Sequence, residues 1–338
     1  MLRRRPLYLL LDVSESMIGS PLESVEEGVR RMAAALRRDP VSMEILHVSV
    51  ITFAARAEVA VPLSELGSFV LPRLEVRPGT ALGAALKLCR ESIAKDVRRS
   101  TPESKGDYRP LVFVMTDGEP TDGWRDAARE LREGRPGAEV IAVGCGDEAD
   151  FDVLREISGQ DAVRAEDLSG ESVLSLFRWV SGSLAASTRA SGGGRVDLSK
   201  VPMGRGITLV KKEDPAPVKA RARIFLHVTC CGTGKKYLAV YRAPAEGQSC
   251  YSLVGTHALP GGFYSDGEAR ASALTGVSLD ISPACPWCGA DAIFICGECR
   301  TCYCFRYGAA TFDCPGCRKT LQVSYGASGG TNIFPSRG

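Results

Sequence analysis

Two short, wholly apolar runs in this chain each stop abruptly at an acid. Tyr8 to Leu11 runs into Asp12-Val13-Ser14-Glu15-Ser16, and Leu111 to Met115 runs into Thr116-Asp117-Gly118-Glu119-Pro120-Thr121-Asp122. Uninterrupted apolar runs of strand length are the mark of strands covered on both faces, as in parallel sheets. The acids then sit where the strands leave the core. Asp12, Ser14 and Ser16, at alternate positions, gather three oxygen donors at one turn, and such donors suit a hard divalent cation.

The segments between follow the same plan. Ser20-Pro21-Leu22-Glu23 reads as a capping box with proline at the first helical position, and Leu22, Val25, Val29, Met32 and Leu36 keep one apolar face until Asp39-Pro40. Ile45 to Phe53 reads as a buried strand, and Ala57 to Val61, closed by Pro62, as the edge strand of a hairpin. Arg77-Pro78-Gly79-Thr80 is a turn that delivers a hydroxyl just before a helix with apolar positions at Leu82, Ala85, Leu86, Cys89 and Ile93. Val140 to Gly144 is a further strand and Phe151 to Ile157 a helix, while Val173, Leu176, Phe177 and Val180 mark the inner face of a last helix. This alternation predicts an α/β fold, a doubly wound and mostly parallel sheet with helices on both faces, whose ligands bind beyond the carboxyl ends of the strands. Asp12, Ser14, Ser16, Thr80 and Asp117 all fall on that rim. Singly, each could cap a helix or satisfy loop backbone. Three separate strand-end loops that offer only hard oxygen donors are not explained by capping.

Residues 5 to about 186 resemble a von Willebrand factor A domain. The likeness rests on Asp12-x-Ser14-x-Ser16, on Thr80 in Pro-Gly-Thr and on Thr116-Asp117-Gly118, which match the three-part metal-ion-dependent adhesion site of that family. It implies that Ser14 and Ser16 ligate the ion directly, Thr80 directly or through water, and Asp12 and Asp117 largely through bound water. Mg2+ is the ion expected, with Mn2+ or Ca2+ as other occupants. Neutral hydroxyls around an ion leave it electrophilic and coordinatively unsaturated, so that a partner's carboxylate or phosphate completes it.

With 338 residues the chain is long enough for two domains. Its 42 basic and 40 acidic side chains leave a net charge of +2, which gives no electrostatic case for nucleic acid or membrane as a partner. Leu7 to Leu11, behind the basic start, is too short for an export signal, and no later run reaches the length of a membrane span, so a cytoplasmic location is expected. A Ser, Gly, Ala and Arg-rich stretch around Ser191-Gly192-Gly193-Gly194 reads as a linker. The expected division is an A domain over 1–186, a linker over 187–220, a β-rich zinc-binding domain over 221–325 and a tail over 326–338. Ile224 to Val228, Tyr237 to Tyr241, Tyr251 to Val254 and Val277 to Ile281 are its candidate strands.

Eight of the thirteen cysteines fall in Cys285-Pro-Trp-Cys288, Cys296-Gly-Glu-Cys299, Cys302-Tyr-Cys304 and Cys314-Pro-Gly-Cys317, knuckle spacings that predict one or two Zn2+ ions in a ribbon-like domain. Two pairings fit. In a ribbon, the first and last pairs share one ion, leaving Cys296, Cys299 and Cys304 to be completed by Cys302, by Cys231 or, more weakly, by His227. In a cross-brace, the first and third pairs share one ion and the second and fourth the other. Cys89, Cys145, Cys250, His47 and His257 read as packing or surface residues.

An A domain followed by such a tail resembles the TerY-like proteins of bacterial tellurium-resistance and stress systems, on Thr229 to Tyr241 and the four knuckles. That likeness implies a cytoplasmic partner of a Ser/Thr protein kinase and a protein phosphatase. The function expected is a non-enzymatic adaptor that docks an acidic or phosphorylated protein. A metal-dependent phosphotransferase with Asp12 as nucleophile is disfavoured by Ser14, which stands where haloacid-type enzymes carry a second acid. A RING-type ubiquitin ligase is disfavoured by the missing histidine and the short interval from Cys288 to Cys296.

Overall fold

The computed structural model describes residues 3–117, 119–146, 148–166, 171, 175–180, 204–215, 217, 223–245, 250–259, 274–279, 284–296, 298–299, 301–306, 311–322 and 331–333. The chain divides into two compact units, Met1–Ala220 and Arg221–Gly338.

In the first unit, strands Arg5–Asp12 (β1), Leu46–Phe53 (β2), Ala57–Glu65 (β3), Leu111–Thr116 (β4), Glu139–Cys145 (β5), Ala162–Ala165 (β6) and Ile207–Val210 (β7) form one sheet in the order β3-β2-β1-β4-β5-β6-β7. The inner five strands are parallel, and β3 and β7 are antiparallel edges. Every residue of β1, β4 and β5 is buried, as continuous apolar runs require of strands covered on both faces. Helices Leu82–Asp96 (α3) and Arg125–Glu133 (α4) pack Leu82, Leu86, Cys89, Ala127 and Leu131 onto Tyr8 and Leu10 of β1 and Val112 and Val114 of β4. The alternate residues Leu7 and Leu9 are equally buried, toward the opposite face. The other described helices are Ser20–Leu36 (α1), Pro40–Ile45 (α2), Phe151–Ser158 (α5) and the turn at 175–180 (α6). The order of the strands reverses between β1 and β4, and ligands of doubly wound sheets bind at such a switch point. Asp12 ends β1 there, and Asp117 directly follows β4.

Several local expectations change. Helix α1 starts at Ser20 itself, after Gly19 at φ 83°, so Ser20 is the first helical residue and makes no side-chain cap. Asp39 caps α2, accepting the Ser42 N–H at 3.1 Å, where the sequence reads only as a helix stop. Strand β3 continues through Pro62 to Glu65, with its register shifted opposite Val48 to Val50, an irregular edge where proline is tolerated. Residues 207–210, expected in a linker, are strand β7: they pair with β6 and bury Ile207 and Val210. Val173 and the Ser191 to Gly194 stretch lie outside the described residues. Leu176, Phe177 and Val180 are buried as expected.

The second unit holds Arg223–Thr229 (β8), Lys236–Arg242 (β9), Cys250–Ala258 (β10), Leu274–Leu279 (β11), Ala292–Ile295 (β12), Cys302–Phe305 (β13), Thr311–Asp313 (β14), Thr320–Gln322 (β15) and Thr331–Ile333 (β16). Seven of these form a mixed sheet in the order β12-β13-β8-β9-β10-β11-β16, while β14 and β15 pair with each other. Thr331–Ile333, expected in a tail, pairs with β11. The core packs Leu226, Val228, Tyr237, Ala239 and Tyr241 around the sulfurs of Cys230, Cys285 and Cys304, so the thiols are part of the core. No helix among the described residues is long and apolar enough to cross a membrane.

Candidate metal centres

At the switch point three loops converge. The Asp12 carboxylate accepts the Ser14 N–H at 2.9 Å through Oδ1 and the Thr116 hydroxyl at 2.5 Å through Oδ2, which fastens the end of β1 to the end of β4. Ser14 precedes a one-turn 3-10 helix, Glu15–Met17, that folds Ser16 back so that the two hydroxyl oxygens lie 2.8 Å apart. Ser16 donates to Oδ1 of Asp117 at 2.6 Å. Thr80 belongs to the second loop, where Gly79 at φ 84° makes the turn before α3. Its carbonyl accepts the Thr121 N–H at 2.9 Å, which ties that loop to the one bearing Asp117. Asp122 strengthens the tie by accepting the N–H groups of Gly83 and Ala84 at 2.7 and 2.8 Å, capping α3 from another loop. A Cβ on Gly83 would lie 2.4 Å from the Gly123 carbonyl oxygen. Gly83→Ala is therefore expected to push the loops apart and destabilise the first unit by about 1–3 kcal/mol, measured by denaturant unfolding.

The relative exposure of Asp12, Ser14, Ser16, Thr80 and Asp117 is 1, 0, 4, 0 and 1%. Burial, and then the neighbouring charge of Asp117, push the Asp12 carboxyl up to about 7, against hydrogen bonds from Ser14 and Thr116 that favour the charged form. The Thr80 hydroxyl is buried without a hydrogen-bond partner among the described residues. Two buried carboxylates, two hydroxyls and an unsatisfied third hydroxyl form a donor set of hard oxygens that fits a dication.

A divalent cation must displace the proton that Asp12 carries below about pH 7. Because this carboxyl is raised, its contribution to stability without metal is complete below its unfolded-state value and is lost as pH rises through about 7. Any rise in melting temperature that Mg2+ gives the first unit is thus expected to grow from about pH 5 to about pH 8. Thermal melts of the full chain with and without Mg2+ across that range check it, and a pH-independent difference contradicts it.

The profile of the von Willebrand factor type A domain matches residues 7–174, from β1 through all three loops. The first unit carries a von Willebrand factor type A domain. An uncharacterized protein of Synechocystis sp. is 32% identical over 167 residues, which are 46% of this chain and 36% of that protein. Matrilin-1 of Bos taurus is 27% identical over 166 residues, 47% of this chain and 29% of its own. The chain therefore spans about a third of the length of these curated relatives. Among solved structures, proximal thread matrix protein 1 from the mussel byssus, with a zinc-occupied MIDAS motif, is 18% identical. That match covers 53% of this chain and 48% of the mussel protein, with a TM-score of 0.39. Within the A domain, burial pushes the thiols of Cys89 and Cys145 far up, so both are packing residues.

In the second unit the thiols form two groups, Cys230 with Cys285, Cys288 and Cys304, and Cys296 with Cys299, Cys314 and Cys317, each within 4.8 Å of one another. The S···S distances of 3.5 Å for Cys288–Cys304, 3.8 Å for Cys296–Cys317 and 3.5 Å for Cys299–Cys314 match a tetrahedral Zn2+. With Zn–S bonds of about 2.3 Å that geometry sets sulfurs about 3.8 Å apart. Both groups are therefore suited to a metal ion. Four turns deliver seven of the eight sulfurs, Cys304 coming from strand β13, and each turn folds alike: the N–H of the leading cysteine meets the carbonyl five residues on, as in Cys230→Lys235, Cys285→Ala290, Cys296→Thr301 and Cys314→Lys319, at 2.8 to 3.0 Å. Burial works to raise Cys230 and Cys299, yet hydrogen bonds from Thr233 and Thr301 bring both thiols down to about 6. That favours the thiolate a metal needs.

This grouping corrects the ribbon pairing, because Cys285 and Cys288 are not joined to Cys314 and Cys317. It follows the cross-brace with one replacement, Cys230 for Cys302. Cys302 sits one pleat before Cys304, paired with Val228 of β8 and packed in the core, where burial pushes its thiol up to about 12. Cys231, the expected distant ligand, is exposed: its N–H donates to Cys304 Sγ at 3.2 Å and its sulfur lies 3.6 Å from that atom, outside the four. His227 alternates away from the face that carries Leu226, Val228 and Cys230. The sequence held a signal for Cys230. Its turn has a left-handed residue four positions after the leading cysteine, Gly234 at φ 69°, as at Gly289 (68°) and Arg318 (59°). Four positions after Cys231 stands Lys235, a residue that rarely adopts that conformation.

Proposed function

We propose that the chain is a non-enzymatic adaptor. Its A domain holds Mg2+, or in its place Mn2+ or Ca2+, through Ser14, Ser16 and Thr80, with Asp12 and Asp117 behind them, and a partner protein supplies the carboxylate or phosphate that completes the ion. The observation that carries this reading is the convergence of the Ser14 and Ser16 hydroxyls and the Asp12 and Asp117 carboxylates at the switch point. Both Asp12 oxygens are engaged, by Ser14 and Thr116, which favours a positioning role over a nucleophile. The two cysteine groups hold one structural Zn2+ each. The first draws Cys230 from the β8–β9 turn and Cys304 from β13 of a seven-stranded sheet, which favours knuckles built into a β fold over a free-standing RING module.

The TerY-like resemblance supplies the finer reading: a cytoplasmic scaffold in stress phospho-signalling that serves a Ser/Thr kinase and a phosphatase. Thiolate-bound zinc suits that reducing compartment.

A pull-down from lysate with the zinc-loaded full chain tests the adaptor reading. Proteins captured in Mg2+ are expected to be absent from Asp12→Ala beads. The same set on both overturns the reading.

A further inference from the structure

At the rim opposite the metal loops lies a cleft of about 400 Å3 between the segment after α3, the approach to β4 and the turn before β5. Arg98, Arg99, Arg109 and Arg135 line it, with Asp107 as its one acid. The length of β4, six residues or about 20 Å, separates it from Asp117. We infer that this cleft is a binding site for a small phosphate-bearing anion, a second ligand site of the A domain independent of the metal.

The charge count carries the inference. Arg4 grips the Asp107 carboxylate with a fork, at 3.0 and 2.6 Å, and the Arg98 N–H donates to it at 2.8 Å, so the single acid is already matched. Arg99 donates to the Arg135 carbonyl at 3.3 Å, and Arg109 to the carbonyls of Arg132 and Ala138 at 3.2 and 2.8 Å. Those are dipoles and leave the charges in place. Among the described residues Arg99, Arg109 and Arg135 have no carboxylate partner, in a chain whose net charge is only +2. Arg3 and Arg5 lie against the ring of Tyr108, at 4.2 and 4.7 Å, and the Arg5 charge also faces Glu139.

The wall is also preorganised. Arg3 donates to the carbonyls of Gly106 and Asp107 at 2.7 and 3.1 Å, and the Gly106 N–H donates to Ser100 Oγ at 3.0 Å. A Cβ at Gly106 would lie 2.5 Å from the Arg98 carbonyl, so the loop is wound without slack. Guanidinium forks in a fixed frame suit phosphate oxygens, which take two parallel hydrogen bonds, and the volume suits a small molecule.

Calorimetric titration of the zinc-loaded full chain with inorganic pyrophosphate, without added Mg2+, tests the site. Binding is expected in the wild type and in Asp12→Ala. It should weaken about tenfold or more in Arg99→Gln/Arg135→Gln, two exposed positions whose substitution leaves the core intact, and less in Arg99→Lys/Arg135→Lys. Arg125→Gln/Arg129→Gln on α4 removes the same charge elsewhere and should bind as the wild type does. No binding by the wild type, equal loss in both glutamine doubles, or loss in Asp12→Ala would overturn the assignment. So would binding confined to vesicles containing phosphatidic acid.

Discussion

Stripping zinc from the full chain with a strong chelator should unfold the second unit and leave the A domain folded. The sulfurs of Cys230, Cys285 and Cys304 are packed inside that unit's core, and Cys296 and Cys314 anchor a smaller cluster around Tyr303. Without metal, each group brings four thiols within 4.8 Å, one of them, Cys230 or Cys299, shifted to about 6, so the unit would have to hold thiolates with no cation between them. A structural Zn2+ site contributes about 10–16 kcal/mol, against a total stability of about 5–15 kcal/mol for an ordinary domain. Loss of one ion therefore exceeds what the remaining core can supply. Two Zn2+ per chain are expected by metal analysis. Cys230→Ser and Cys304→Ser should each lose one ion and the cooperative melt of this unit, whereas Cys231→Ser and Cys302→Ser should keep both. Equal loss from Cys231→Ser and Cys230→Ser would contradict the grouping.

The second large effect belongs to Asp12. Its carboxylate anchors the Ser14 backbone and the Thr116 hydroxyl, and it is one of two buried charges that a dication must meet. Asp12→Ala should weaken Mg2+ binding about 100-fold or more, the upper range for groups that orient metal ligands. The fold should survive: burial and the Asp117 charge already oppose ionisation of Asp12, so near pH 8 without metal the variant is expected to melt no lower than the wild type. Asp12→Asn keeps the shape and loses the charge, and should match the alanine variant in affinity. Titration of Mg2+ against each protein, with melts alongside, separates lost ligand geometry from lost folding.

Much of this was legible in the sequence where burial and chemistry coincide. Strands β1 and β4 announce themselves because both faces are covered, and an acid that ends such a run can only sit at the rim. Helix α4 is hidden because only Ala127, Ala128 and Leu131 face inward along an otherwise charged stretch. Strand β7 is short and follows a composition typical of linkers, and it becomes a strand only because β6 offers an open edge. Asp122 shows its role only once two loops far apart in sequence meet, and no local pattern marks it. Cysteine spacing finds the knuckles but not their grouping, since Cys230 and Cys231 are neighbours and only the turn geometry chooses between them.

The central claim is that the A domain docks a partner through an ion whose ligands are set by Asp12. It is tested most directly by titrating a protein captured in the presence of Mg2+ into the zinc-loaded full chain, wild type and Asp12→Ala, in Mg2+ near pH 8. The account predicts binding to the wild type and a loss of about 100-fold or more in the folded variant. Equal affinity for the two proteins would contradict it.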